Sequence, residues 1–191
     1  RPQPGARVEA QYGGADGDYG ALAVVEEELA ANGLGALAVE ISGELTIGAG
    51  SLLAYGTDVQ KRTFLPMLSE GRLMAFALTE VGVGVNAKKV QAYVELDEAG
   101  DCYRLHATGP RAKMYITNAS HGALAGLVAR IGKHGKKVGL FLVELPAHDV
   151  AVGDISEDGE PTDWGFSCHS TEVSAFMANH NSRMEFTNFP I

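Results

Sequence analysis

Ala75-Phe-Ala-Leu-Thr-Glu-Val-Gly-Val-Gly84 and, further along, Lys113-Met-Tyr-Ile-Thr-Asn118 decide how this chain is read. Each is a short apolar run that ends in polar sequence, and each carries a threonine near its end. Short runs of this kind, bounded by turn residues, are strands. A hydroxyl at a strand end can donate or accept a hydrogen bond, so Thr79 and Thr117 are candidate ligand contacts. Their commonest role is plainer, since threonine is simply a good β-former.

Outward from these two runs the pattern continues downstream of Gly71. Residues 90–96, 103–107, 124–131, 138–145 and 184–189 are further short β-rich segments. Turn sequences separate them, among them Asp97-Glu-Ala-Gly-Asp101, Gly109-Pro110 and Gly132 to Gly135. Residues 154–163 read as a polar loop. With no strand–helix–strand alternation, this half is expected to be an antiparallel β-domain and not a dinucleotide-binding unit.

Upstream the period is helical. Leu22, Val25 and Leu29 share one face of a helix that Asn32-Gly33 should stop. Residues 34–55 are apolar nearly all round, so this helix should be buried on most sides, with Gly48 and Gly50 allowing a close neighbour. Thr57 and Gln60 form a capping box that opens a last helix, within which Pro66 falls. The expected fold class is α+β: a partial helical domain over residues 1–71, then a barrel-like antiparallel β-domain over 72–191, joined at 70–72.

Composition narrows the function. A net charge of -9 disfavours nucleic acid and anionic membrane as partners. The basic cluster Lys133-His-Gly-Lys-Lys137 reads as a solvated hairpin loop. Cys102 and Cys168 lie far apart without metal or redox spacing, which fits free thiols in a reducing cytoplasm. No run approaches the ~18 apolar residues of a bilayer span. Arg1-Pro-Gln-Pro4 lacks the pattern of a signal peptide and reads as a cut end. The sequon Asn118-Ala-Ser120 falls at a strand end and is taken as chance. The six histidines show no ligand spacing, and no metal site is expected. Neither a nucleophile elbow nor a phosphate-binding loop occurs. Glu80 is the tempting carboxylate, but a structural hydrogen bond just after its strand is the expected role.

Several segments, in order, resemble the acyl-CoA dehydrogenase and acyl-CoA oxidase superfamily. Tyr12-Gly-Gly14 before a Glu-rich helix is similar to the start of its helical domain. Tyr55-Gly-Thr-Asp-Val-Gln-Lys-Arg-Thr-Phe-Leu-Pro66 resembles its Tyr-Gly-Thr-x-x-Gln-Lys-x-x-x-Leu-Pro signature. Ala75–Gly84 resembles Ala-x-x-Leu-Thr-Glu-x-Gly-x-Gly, and Lys113–Asn118 resembles Lys-x-Trp-Ile-Thr-Asn. Met184-Glu-Phe-Thr-Asn-Phe-Pro190 resembles the strand that closes the β-domain. There are departures: Val81 stands for the family's Pro, Val85-Asn86 for Ser-Asp, Tyr115 for Trp, and Gly109-Pro-Arg-Ala112 for Asn-Gly-Thr.

The resemblance implies FAD as cofactor, with Leu78, Thr79, Gly84, Val85, Tyr115, Ile116 and Thr117 as flavin contacts. It implies an acyl-CoA or acyl-carrier thioester as substrate, α,β-dehydrogenation as reaction, and a homo- or hetero-oligomer. Arg111–Ala119 and Val152-Gly-Asp-Ile155 tilt the likeness toward the oxidase branch. In the family the catalytic base comes from a C-terminal helical domain that should begin where residue 191 falls. No catalytic residue is therefore expected within this chain, and whether it is an enzyme by itself stays open. The alternatives are one half of a split flavoenzyme, completed by a separate C-terminal half, or a non-catalytic binding module.

Overall fold

A computed structural model describes residues 5–84, 86–173 and 180–191. Four α-helical elements come first: α1 (Tyr19–Ala31), α2 (Gly35–Ser42), α3 (Ala49–Tyr55) and α4 (Asp58–Ser69). The local chemistry explains their ends. Asp18 caps α1 by accepting from the Ala21 amide, and Gly33 follows it with φ 79°. Thr57 and Gln60 make the reciprocal capping box of α4.

Between α2 and α3 runs a π-helical turn, Gly43–Gly48, which no sequence pattern foretold. It packs against the first strand so closely that a Cβ on Gly48 would sit 2.3 Å from the Met74 carbonyl. Gly48 is thus the glycine that a close neighbour requires. Gly50 meets nothing within 4 Å and has no such reason.

The expectation that this helical stretch is buried on most sides is corrected. Ala38, Leu45, Ala49 and Leu52 face the interior, whereas Leu37, Val39, Ile47 and Tyr55 are exposed. Residues Gly35–Tyr55 also form a 21-residue helix of mean hydropathy 1.3, apolar and long enough by those measures to cross a membrane. That overturns the reading that no run approaches such a length. The glycines and the interrupting Glu40 and Glu44 had made it look shorter.

Among the described residues eight strands follow: β1 (Leu73–Ala77), β2 (Tyr93–Leu96), β3 (Tyr103–Ala107), β4 (Lys113–Thr117), β5 (Gly122–Ile131), β6 (Val138–Glu144), β7 (Gly165–Thr171) and β8 (Asn181–Pro190). Most pairs are antiparallel, as expected, but β5 runs parallel to both β1 and β2. Parallel neighbours need a long crossover. Here other strands make that crossover, so no helix marks it in the sequence. The order β1-β5-β2-β3-β8-β4 returns on itself through a bridge between Glu80 and Lys113, which gives a nearly closed barrel. Strand β7 was not expected, because Gly165-Phe-Ser-Cys-His-Ser-Thr171 carries polar residues on most of its length. It pairs with β8 over its full extent.

Two apolar clusters hold the molecule together. Trp164 and Phe186 meet Phe189 edge-on and Phe166 packs tilted against Phe186 and Phe189 within the barrel, beside Leu105, Leu127 and Met184. Val8, Leu52, Leu65, Leu68, Met74 and Leu124 join the helices to the sheet.

Candidate functional site

The two runs quoted first meet at the barrel's closing seam. Past the end of β1, the Thr79 carbonyl accepts from the Met114 amide at 2.9 Å. The next residue, Glu80, bridges to Lys113 at the head of β4. Both side chains of that bridge are fully buried, and their charged ends lie 2.9 Å apart. The Glu80 carboxylate also accepts from the Gln91 amide at 2.7 Å and the Ala92 amide at 2.9 Å. The Lys113 ammonium donates in addition to the Val128 carbonyl at 2.7 Å and the Leu78 carbonyl at 3.3 Å. Burial pulls the ammonium's pKa below its usual range, while Glu80 opposes that pull. The structural role expected for Glu80 is therefore observed. The depth of Lys113 was missed, since alternation alone does not tell an inward lysine from an outward one.

Strand β4 is bulged. Its register with β8 shifts between Lys113 and Ile116, and Tyr115 takes the left-handed φ of 58°. A non-glycine residue there is strained, and such strain persists only where its surroundings enforce it. The effect is to turn the Tyr115 ring outward, 56% exposed, on an otherwise covered strand.

The other candidate contacts are placed as follows. Leu78 is half-buried against the barrel core. The side chain of Ile116 is core, so only its backbone can serve a ligand. The Thr117 hydroxyl donates to Asn181 Oδ1 at 3.1 Å, and its methyl group would lie 3.6 Å from a Cβ on Gly43 of the π turn. Gly82 and Gly84 have open space where a Cβ would stand, which leaves their backbone approachable. Val85 lies outside the described residues.

Beside Thr117 lies a second polar cluster that no motif announces. The His180 amide and ring Nδ1 contact Glu40 Oε1 at 3.0 and 2.6 Å. The Asn118 side chain donates to the Glu40 carbonyl, and the His121 ring stands edge-on to His180. These contacts tie α2 to the end of β4. Only long-range pairing brings them together, so no local motif could announce them.

Glu44, on the π turn, faces elsewhere. It lines an apolar cavity of about 170 Å³ with Leu22, Val25, Leu37, Ile41 and Leu73, none of them a cradle residue. Its Oε1 has no hydrogen-bond partner, and burial raises its carboxyl to about 7. A polar cavity of about 510 Å³ at the far strand ends is lined by Glu95, Asp97, Arg104, His106, Asp163 and Asn188, again without cradle residues. Among the described residues, no group of three or more His, Cys, Asp or Glu is placed to hold a metal.

Strand ends with an exposed aromatic ring and open glycine backbone beside them offer backbone and ring groups of the kind a flat heterocycle with hydrogen-bonding edges uses. Residues 4–72 match the family description "Acyl-CoA dehydrogenase, N-terminal domain". A probable acyl-CoA dehydrogenase of Bacillus subtilis is 31% identical over 78% of this chain and 24% of its own length. The rat mitochondrial short/branched chain specific acyl-CoA dehydrogenase is 30% identical over 78% of this chain and 33% of its own. The chain thus spans a third or less of either relative.

Among solved structures, an acyl-CoA dehydrogenase complexed with FAD from Bacillus anthracis aligns at TM-score 0.79 and 25% identity. That alignment covers 98% of this chain and 29% of that one. Butyryl-CoA dehydrogenase from Megasphaera elsdenii aligns at TM-score 0.73 and 26% identity, covering 98% and 45%.

Proposed function

The chain belongs to the acyl-CoA dehydrogenase superfamily, and from that premise we propose that it is the flavin-cradling portion of an FAD-dependent oxidoreductase acting on acyl thioesters. The observation that carries this reading is the seam itself, where the Thr79 and Met114 backbones meet beside an outward-turned Tyr115. Leu78 and Thr79 would offer backbone and hydroxyl groups to the ring edge, with Ile116 and Thr117 doing so from β4. Tyr115 would lie along the ring system. Gly84 and Val85 would follow the pyrophosphate, where Val85 supplies no hydroxyl. Bound FAD supplies the acceptor for the hydride that leaves the acyl β-carbon as the α-proton is removed. The protein's part is to hold the ring edge on rigid strand ends and to keep water from it.

Finer features belong to the same proposal. The oxidase-like residues at Arg111–Ala119 and Val152–Ile155 favour reoxidation by oxygen over an electron-transfer partner. The exposed apolar face of α2 and α3 fits an oligomeric assembly. The two free cysteines fit the cytoplasm.

The test is the visible spectrum of the purified protein after incubation with FAD and removal of unbound cofactor. Retained flavin bands are the expected result. Folded protein that stays colourless would sink the proposal.

A further inference from the structure

The six-strand ring closes at one place, and the two residues whose backbones close it, Glu80 and Lys113, also pair their side chains inside it. Every other hydrogen bond of the pair goes to backbone. Lys113 holds the carbonyls of Leu78 and Val128, and Glu80 holds the amides of Gln91 and Ala92. The pair therefore ties the ends of β1 and β4 to the interior of β5 and to the segment leading into β2. Glu80 lies next to Thr79 in the chain, and Lys113 lies two residues before the left-handed Tyr115.

We propose that the buried Glu80–Lys113 pair is the positioning device of the flavin cradle: it fixes the register of the seam and thereby holds Tyr115 in its outward, left-handed conformation. This rests on the flavin reading above. The physical argument runs through specificity of geometry. A buried ion pair is weak evidence for stability, because apolar residues of similar volume often serve the fold as well. What apolar residues cannot do is aim hydrogen bonds at chosen carbonyls and amides. Without them, neither the Leu78 carbonyl nor the Gln91 and Ala92 amides keep a directed partner at the seam. The bulge can then relax, because Tyr115 gains by leaving the left-handed region.

The experiment compares wild type with the double variant Glu80→Leu/Lys113→Met, which removes both charges together and leaves neither unpaired. Three readouts are taken: the thermal midpoint, the Tyr115 backbone chemical shifts, and FAD affinity by fluorescence titration. The expected result is a lowered midpoint, because the buried Ala92 amide and Val128 carbonyl lose their partners, together with Tyr115 shifts that leave the left-handed signature and FAD affinity at least about tenfold weaker. Unchanged Tyr115 shifts would overturn the proposal and make the pair merely structural. So would unchanged FAD affinity in a wild type that binds FAD.

If wild type itself takes up no FAD, the flavin reading fails, and the Tyr115 shifts still decide whether the pair positions the seam. Should the double variant not fold, Glu80→Gln/Lys113→Met carries the same decision. It removes both charges and keeps one acceptor for the backbone amides, so the expected outcome is a smaller loss of affinity with the Tyr115 shifts moving in the same direction.

Discussion

Supplied with FAD and an acyl-CoA without oxygen, residues 1–191 alone leave the flavin oxidised. Removing the α-proton requires a base within hydrogen-bond reach of it. Three carboxylates near the candidate contacts are committed elsewhere. Glu80 is buried and bound by Lys113 and two backbone amides. Glu40 accepts from the His180 amide and meets that ring. Glu44 opens into a cavity that shares no residue with the cradle. General-base catalysis contributes ~10²–10⁴-fold, and loss of substrate positioning compounds it. Bleaching of the flavin is therefore expected only when a carboxylate-bearing helical segment from outside residues 1–191 is present. Full bleaching by this chain alone would mean that a local carboxylate is the base.

Glu44→Gln stabilises the folded chain at pH 8 and changes little at pH 5. In the folded state burial raises the Glu44 carboxyl to about 7 from its ordinary 4.5, so the folded chain binds the proton more tightly than the unfolded one. Stability then falls as pH rises from ~4.5 to ~7 and is flat above that. The shift corresponds to about 3 kcal/mol at its full extent. The amide has the carboxyl's shape without its charge, so it escapes that cost. The difference in thermal midpoint between variant and wild type should be small at pH 5, about 2–3 °C. At pH 8 it should reach about 6–12 °C. The measurement is thermal unfolding of both proteins across that range. A difference that does not grow with pH would show that Glu44 stays solvated.

Features written in local sequence were legible, and those made by distant pairing were not. The capping box at Thr57 and Gln60, the stop at Gly33 and strand β3 all follow from neighbours in the chain. The motif residues drew attention to both sides of the seam, but nothing in either run says that Glu80 meets Lys113. Strand β7 escaped because its polar residues hide its alternation, and its partner β8 decides its conformation. The π turn escaped because Gly43–Gly48 has the composition of an ordinary helix. The parallel pairing of β5 with β1 and β2 leaves no local trace at all.

Amide signals of the isotope-labelled chain, recorded as FAD is added, test the central claim most directly. The account predicts that shifts concentrate at Leu78, Thr79, Gly82, Gly84, Tyr115, Ile116 and Thr117, leaving β6 and β7 unmoved. Shifts that gather instead around Glu95, Arg104 and Asn188, or none at saturating FAD, would contradict it.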